Sequence, residues 1–366
     1  MLSPRRLLEE AYRGNWTGRI PFGIYSRYLK RGARERGWRA SGLGIIDYAP
    51  VASFASPPWH QYDEFLSPVE GADLSIRKYW ENGILIERRI FDTPRGSVYQ
   101  ETAKDGGGTG SEHIRRHFVR TKEDYGILRY LAEKSVILDR SASVVERQDE
   151  LGEDGVVLAR LDRTPYQKCL IELAGPERFL MDFHDDPEPI LELMRALERK
   201  SDDAFFRTLD SAVEFIWQPD NVTVDMTPPS AFGSYLCPLY ARRASLAEQA
   251  GKRYLVHMDG RLKALAGLIA ASGIHAVESF TLPAMGGDLT LREARALFPV
   301  AIPHPNVPSN WALLGQGELE AALEGLVDEL KGTPSILQVS EDIPPEGLPR
   351  VLDTMAKVLA GTAARW

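Results

Sequence analysis

Residues 254–280 read YLVHMDGRLKALAGLIAASGIHAVESF and contain the pattern that decides the fold. The apolar run YLV is followed by the polar residues His257 and Asp259, and the later run HAV is followed by Glu278. Residues 261–272, between these runs, have the apolar spacing of a short helix. A strand, a helix and a second strand in succession predict two parallel strands joined by a right-handed crossover.

The same unit recurs along the chain. Further strands are predicted at 20–25, 166–174, 221–226, 298–304 and 335–340, and further helices at 3–14, 122–135, 187–210, 290–297, 316–331 and 346–360. Over 366 residues, this series favours an α/β fold of the eight-stranded (β/α)8 TIM type over a doubly wound sheet. No G-x-G-x-x-G motif follows the first strand, which counts against a dinucleotide-binding fold.

Residues 30–110 have a different pattern, with turn signals and short alternating runs such as GILIERRIF. They predict a β-rich insertion with hairpins. We expect residues 1–366 to form a single barrel domain, with the 30–110 insertion as a cap beside the barrel mouth or as an oligomer contact. A homodimer is one form that this contact could take.

The composition excludes several classes of protein. There are 44 Lys and Arg against 52 Asp and Glu, a net charge of −8, which argues against binding nucleic acid through its phosphates. Two cysteines, Cys169 and Cys237, are too few for a disulfide scaffold or a four-cysteine cluster. The apolar runs are shorter than the roughly 20 residues of a membrane-spanning helix, and the N-terminus lacks the apolar region of a signal peptide. We therefore expect a cytoplasmic protein with no membrane or nucleic-acid partner.

Polar side chains follow the predicted strands at the barrel end where TIM-type active sites lie. Six ionisable residues follow five of these strands: Asp225, His257, Asp259, Glu278, His304 and Glu341. His257 and Asp259 are two residues apart, so their side chains leave an extended strand on the same face. Imidazole and carboxylate groups together suit Zn²⁺, Mn²⁺ or another divalent ion. A structural role stays open, because loops begin at strand ends and are usually polar.

The segment VHMDGRLKALAGLIAASGIHAVESF resembles the His-x-Cys-Gly or His-x-Asp-Gly segment of the uroporphyrinogen decarboxylase superfamily, which includes cobalamin-dependent methyltransferases. DMTPPSAFGSYLCPLYARR and QVSEDIPPEGLPRVLDTMAKVL resemble other segments of that superfamily. The resemblance covers residues 110–366 well and the first 110 residues loosely. It implies the same barrel fold, and its motifs are more specific for the superfamily than for any one activity.

The methyltransferases of that superfamily bind zinc through His-x-Cys and a later Cys on the last strand. At the matching positions this chain has His257-x-Asp259 and, near the later cysteine, Glu341. Carboxylates replace both thiolates, which suits a Lewis acid acting on an ether or hydroxyl oxygen. The resemblance is therefore to the corrinoid-linked O-demethylases, in which a methyl group passes from an aryl methyl ether to a separate corrinoid protein.

This resemblance implies a divalent metal, zinc first, and a corrinoid supplied in trans by a partner protein, since the chain lacks the Asp-x-His-x-x-Gly segment of cobalamin-binding domains. The expected metal ligands are His257, Asp259, Glu341 and His304. The expected catalytic residues are His257, Asp259, Glu278 and Asp225. Aromatic walls suit an aromatic ether, and the expected substrate-binding residues are Tyr25, Arg27, Trp59, Phe232 and Tyr235.

Two alternatives stay open. The first is decarboxylation of a tetrapyrrole, because Arg27 and Arg31 could imitate the arginine pair of the true decarboxylases, with Asp47 in place of their aspartate. It ranks second because arginines are not concentrated at the strand ends. The second alternative is a non-catalytic barrel that binds a small ligand or a partner chain, against which the six ionisable strand-end groups weigh.

Overall fold

The computed structural model describes residues 2–54, 67–104, 112–341 and 343–363. Its strands are β1 (Phe22–Tyr25), β2 (Leu43–Ala49), β3 (Ala52–Ser53), β4 (Asp73–Glu81), β5 (Ile84–Thr93), β6 (Gly96–Lys104), β7 (Glu112–Arg116), β8 (Leu138–Asp139), β9 (Gly155–Arg160), β10 (Phe215–Gln218), β11 (Arg253–His257), β12 (Ala276–Phe280), β13 (Ile302–Pro305) and β14 (Leu337–Val339). Its helices are α1 (Pro4–Arg13), α2 (Ala33–Ala40), α3 (Glu123–Lys134), α4 (Ser141–Leu151), α5 (Pro165–Gln167), α6 (Pro176–Asp185), α7 (Glu188–Asp210), α8 (Pro229–Ala231), α9 (Cys237–Gln249), α10 (Ala266–Ala271), α11 (Leu291–Leu297), α12 (Gln316–Leu330) and α13 (Leu348–Ala363).

Eight parallel strands form a nearly closed barrel, so the predicted α/β TIM-type fold is confirmed. They pair in the order β13-β12-β11-β10-β9-β2-β1-β14. The first and last strands of this order meet at a parallel bridge between Asn306 and Gln338, where the Val307 amide also donates to the Gln338 carbonyl at 2.7 Å. The apolar runs are buried throughout, as Leu255 and Val277 illustrate, because a barrel strand is covered on both faces.

The first helix packs closely on the barrel strands. The Ser3 hydroxyl caps α1 by accepting from the Arg6 amide, and Pro4 occupies the first helical position. Leu8 is fully buried next to Gly44, where an added Cβ would lie 2.5 Å from the Leu8 side chain. Glycine at position 44 therefore allows the helix to approach the strand.

The chain divides into two compact units. The first comprises residues 1–49, 143–160 and 212–366 and contains the barrel, and the second comprises residues 50–142 and 161–211. In the second unit β4 to β7 form an antiparallel sheet in chain order, as the alternating runs predict. The 30–110 insertion is wrong in its first part, because α2 and the barrel strand β2 lie within residues 30–49, in the barrel unit. The assignment of residues 1–366 to one domain, with the rest of the 30–110 segment as a cap or an oligomer contact, stays a prediction.

The strand predicted at 166–174 is wrong, because this segment is helical. It begins with α5, with Pro165 at the first helical position, and continues as a π-helical turn over Lys168–Leu173. Lys168 and Glu172 form an ion pair of 2.8 Å across one turn. The apolar residues of this run suit either a helix or a strand. The pairing of Lys168 with Glu172, four residues apart, is possible in a helix and decides in its favour.

The strand predicted at 221–226 is also wrong, since the barrel strand β10 lies earlier, at Phe215–Gln218. Pro219 follows it and has no amide to donate to a neighbouring strand. Asn221 has a φ of 49°, a left-handed conformation that interrupts an extended run. None of the helices within the described ranges combines the length and the apolar character needed to cross a membrane.

Candidate functional site

Polar side chains follow the buried apolar parts of three barrel strands. His257 ends β11, and Asp259 follows it after the fully buried Met258. Glu278 lies within β12, in register with His257 on the neighbouring strand. Glu341 comes two residues after β14. Parallel strands of a barrel end at the same face, so the fold brings these side chains together at its carboxyl end.

His257 and Glu278 are the centre of a buried hydrogen-bond network. His257 Nδ1 lies 2.7 Å from Glu278 Oε2. The Tyr25 hydroxyl donates to Glu278 Oε1 at 2.7 Å, and Trp217 Nε1 donates to Glu278 Oε2 at 3.0 Å. Glu278 is fully buried, so these donors replace the water that its carboxylate would need. The network fixes the orientation of the His257 ring.

The network also sets the charges of its members. Burial by itself would lower the pKa of His257, but the Glu278 carboxylate, assisted by Asp259, raises it to about 10. The pKa of Glu278 is lowered, because contact with His257 outweighs the opposing effect of burial. The pKa of Asp259 is lowered in the same way, with Asn221 as a second donor. Without a metal, His257 is therefore an imidazolium at neutral pH and its neighbours are carboxylates.

His257, Asp259 and Glu341 form a group that could hold a metal ion, since one ligand atom of each lies within 4.8 Å of the other two. Asp259 Oδ2 accepts from Asn221 Nδ2 at 2.9 Å and lies 3.8 Å from His257 Nε2. Asp259 Oδ1 is buried without a hydrogen-bond partner in the described ranges. One imidazole and two carboxylates suit zinc or another divalent ion, and the unpartnered oxygen gives such an ion a ready ligand.

Ser279, on β12, contacts the residues that directly follow β14, including Glu341. Ser279 Oγ lies 2.8 Å from Ser340 Oγ and 3.4 Å from Glu341 Oε1. The Ser279 backbone has a φ of 59°, and the pairing of β12 with β13 shifts register around it. A non-glycine residue in this conformation costs about 1–3 kcal/mol. The strained turn therefore has to be held by its surroundings, and it directs Ser279 Oγ toward Glu341.

Aromatic rings line the same part of the barrel. The Tyr25 ring stacks on Tyr28 with 6.2 Å between centroids and meets Tyr48 edge-on at 5.5 Å. Tyr48 in turn stacks on Trp217 at 4.9 Å. Arg27 is exposed, hydrogen-bonds the Tyr28 hydroxyl and lies 4.6 Å above its ring. Tyr25 and Arg27, two of the predicted substrate-binding residues, are thus brought together with the network.

The other predicted substrate-binding residues are placed differently. Phe232 is fully buried in a π-helical turn and packs against Tyr240 with 5.9 Å between ring centroids, so it belongs to the core. Tyr235 is half-buried in the same turn. Trp59 lies outside the described residues. Of the two that the structure describes, Tyr235 presents part of its surface to solvent or to a ligand.

Asp225, which was predicted to be catalytic, and His304, which was predicted to bind the metal, lie outside the metal-binding group. Asp225 is exposed and forms an ion pair with Arg261. His304 is fully buried on β13, and its Nδ1 accepts from the Ile336 amide at 3.0 Å. That hydrogen bond places the proton of the neutral ring on Nε2, which therefore has no lone pair for a metal. Burial lowers the pKa of His304 to about 4, so the ring is neutral.

Trp217 and Asn221 contact the site without having been predicted from the sequence. Both lie on or after β10, the strand whose position was predicted six residues too late. The run FIWQP, a short apolar segment ending at a proline, is the signal that could have located this strand and with it the Trp217 donor. Asn221 carries no comparable signal.

No protein-family model matches the chain, and no curated protein sequence matches it either. Among solved structures, the chain is similar to a methyltransferase from Methanosarcina mazei, with a TM-score of 0.53 and 10% sequence identity. The similarity covers 98% of this chain and 99% of that chain. At this identity the similarity shows a common fold alone. Membership of the uroporphyrinogen decarboxylase superfamily stays a prediction.

Proposed function

We propose that the protein is a metal-dependent methyltransferase that takes a methyl group from a small methyl ether, with aryl methyl ethers as the first candidates, and passes it to a corrinoid on a partner protein. The observation that carries the proposal is the group of His257, Asp259 and Glu341 at the end of the barrel, with Asp259 Oδ1 left unpartnered. The similarity in fold to a methyltransferase supports methyl transfer in general.

His257, Asp259 and Glu341 would hold the divalent ion, which when bound supplies a Lewis acid for the ether oxygen. Glu278 accepts the Nδ1 proton of His257, so it keeps the ring in the tautomer whose Nε2 faces Asp259. Loss of the Nε2 proton turns His257 from a cation into a ligand. Tyr25 is buried against Glu278, which raises the pKa of its hydroxyl and keeps it protonated as a donor.

The aromatic rings of Tyr25, Tyr28, Tyr48 and Trp217 would seat the substrate. Their stacked and edge-on contacts make a rigid, mostly apolar wall beside the polar network. Such a wall binds an aromatic ether by shape and leaves the polar groups to orient its oxygen.

Tetrapyrrole decarboxylation has less support at the same barrel end. Arg31 forms an ion pair with Glu35 at 3.3 Å, and Arg27 contacts the Tyr28 ring and hydroxyl. Asp47 accepts from Ser26 at 2.6 Å and pairs with Arg147 at 3.3 Å. These contacts occupy the groups that would have to grip the carboxylates and pyrrole nitrogens of a tetrapyrrole.

Elemental analysis and an absorbance assay test the proposal together. Purified wild-type protein should carry close to one divalent ion per chain, and His257→Ala should lose it. The matched control is His184→Ala, which changes an exposed histidine outside the group. The wild type, mixed with a reduced corrinoid protein and a panel of aryl methyl ethers, should methylate the corrinoid, and His257→Ala should not.

Full activity of metal-free wild type would contradict the metal centre. Failure of every methyl ether, together with release of carbon dioxide from uroporphyrinogen, would replace the proposal with the decarboxylase alternative.

A further inference from the structure

The side-chain amides of Asn306 and Gln338 each leave an NH2 group without an acceptor inside the barrel unit. Both residues are at most 1% exposed. Asn306 Nδ2 and Gln338 Nε2 have no hydrogen-bond partner among the residues that the structure describes. Buried polar groups are nearly always paired, because leaving them unpaired is costly. Two such donors together indicate an acceptor other than the described residues, a role that a bound molecule would fill.

The orientation of both amides is fixed by their carbonyl ends. Asn306 Oδ1 accepts from the Ser340 backbone amide at 2.9 Å and from Ser340 Oγ at 3.1 Å. Gln338 Oε1 accepts from the Ser279 backbone amide at 3.3 Å. A flipped amide would turn its NH2 group toward these N–H donors. Both NH2 groups must therefore point away from Ser340 and Ser279.

The two amides lie next to the metal-binding group. Asn306 and Gln338 are partners in the parallel bridge that joins β13 to β14, so their side chains leave the sheet on the same face. Ser340 Oγ, which contacts Asn306 Oδ1, also lies 2.8 Å from Ser279 Oγ. Ser279 Oγ lies 3.4 Å from Glu341 Oε1. A continuous series of polar contacts thus connects the amides to one of the candidate metal ligands.

We propose that Asn306 and Gln338 are specificity-determining residues that donate hydrogen bonds to an uncharged oxygen of the substrate, such as a second ether, a hydroxyl or a carbonyl oxygen. This inference rests on the proposed function and names the substrate class more closely. The substrate would then carry two oxygens: the ether oxygen that loses its methyl group, and a second, uncharged oxygen that accepts from the two amides.

The charges of the site favour a neutral acceptor over a carboxylate. Asp259, Glu278 and Glu341 place three carboxyl groups at this end of the barrel. A divalent ion would offset only two of their three negative charges. Amide donors carry no charge that could offset an added carboxylate, which the site would therefore repel.

Isothermal titration calorimetry of the metal-loaded protein tests this inference without relying on turnover. The probes are 1,2-dimethoxybenzene, which carries the second neutral oxygen, methoxybenzene, which lacks it, and 2-methoxybenzoate, which replaces it with a charge. Wild type should bind 1,2-dimethoxybenzene at least about tenfold more tightly than methoxybenzene, and should bind 2-methoxybenzoate weakest.

The variants remove the donors and keep the shape. Asn306→Asp and Gln338→Glu retain the accepting oxygens but lose the NH2 groups, and Gln338→Met removes the amide without adding charge. Each should abolish the preference for 1,2-dimethoxybenzene while the metal content stays at the wild-type value. Asn310→Asp is the matched control, because Asn310 is exposed and its Nδ2 donates to the Ala284 carbonyl.

Equal affinities of wild type and variants for the three probes would overturn the inference, since the amides would then face only water. Tighter binding of 2-methoxybenzoate, or no binding of any probe, would overturn it as well. If the preference is present and the variants lose it, but the corrinoid protein is never methylated, the inference stands and the proposed function fails.

Discussion

The two units of the chain each contain a cluster of buried charged side chains, and the clusters differ in charge balance. In the second unit, Lys168 Nζ binds Asp162 Oδ1 and Glu172 Oε2, each at 2.8 Å. Arg163 Nε binds Glu172 Oε1 at 2.9 Å. Two cations therefore oppose two carboxylates. Lys168 is 1% exposed, yet its pKa is raised, because the two carboxylates outweigh the effect of burial.

The cluster in the barrel is unbalanced by comparison. Within the part of the chain that the structure describes, His257 is the cation that contacts Asp259 and Glu278, and Glu341 adds a third carboxyl group to the same cluster. Buried charge alone is thus a poor sign of function, because both clusters have it. The excess of negative charge distinguishes the barrel cluster as a site for a cation.

The largest expected effect is on stability, in the balanced cluster. Lys168→Met leaves Asp162 and Glu172 without their lysine in a buried position, and should lower the free energy of unfolding by about 3–5 kcal/mol. Urea denaturation followed by circular dichroism measures this. Lys263→Met, at an exposed lysine paired with Glu293, is the matched control and should change the free energy by no more than about 1 kcal/mol. Equal effects of the two substitutions would show that the cluster is not structural.

The next largest effect is the stabilisation of the folded protein by a divalent ion, which should depend on the barrel cluster and not on the balanced cluster. A divalent ion at one hundred times its Kd should stabilise the metal-free wild type by about 2.7 kcal/mol. Asp259→Asn and Glu341→Gln should lose this gain, because each removes a ligand charge. Thermal denaturation with and without zinc measures it. Lys168→Met should keep the full gain despite its lower stability, and a lost gain there would mean that the ion binds elsewhere.

A smaller effect is expected from pH. His257 has a pKa of about 10 in the folded protein and about 6.5 in an unfolded chain. In the metal-free protein, its contribution to stability is therefore fully present below about pH 6.5 and is lost as the pH rises toward 10. The ion must displace the Nε2 proton, so its affinity should rise about tenfold per pH unit within this window. Competition titrations with a chelator from pH 6.5 to 8 measure the slope, and a flat profile would exclude His257 as a ligand.

The fold could be predicted from the sequence because its signal is repeated. Apolar runs of strand length alternate with segments of helical spacing from residue 254 to the C-terminal helix. Each strand–helix unit therefore supports the assignment of the units next to it. Two barrel strands, β2 and β9, were not predicted. The two strands that were predicted in the wrong place come from isolated runs. Residues 166–174 have no strand–helix neighbour to decide their type, and Asn221 lies in a turn that looks extended in sequence.

The candidate site could be predicted only where its residues carry charge. His257, Asp259, Glu278 and Glu341 are polar residues at the ends of apolar strands, and the barrel brings them together. Trp217, Asn306 and Gln338 lie within apolar or uncharged segments, where nothing in sequence separates them from core residues. Their role depends on which hydrogen bonds are left unmade, and only the three-dimensional arrangement of donors and acceptors shows this.

The smallest expected effect concerns Asp225, which has the same sequence signal as the barrel cluster but a different environment. It pairs with Arg261 at the surface and accepts from Thr223 Oγ1 at 3.0 Å. Water screens an exposed ion pair of this kind, so Asp225→Asn should change the free energy of unfolding by less than about 1 kcal/mol. It should leave the zinc affinity at the wild-type value, in contrast to Asp259→Asn. Chelator competition on the two variants side by side measures the difference. A loss of zinc in Asp225→Asn as large as in Asp259→Asn would place Asp225 among the ligands, in a conformation other than the one described. It would also remove the distinction between half-buried and exposed carboxylates on which the site assignment depends.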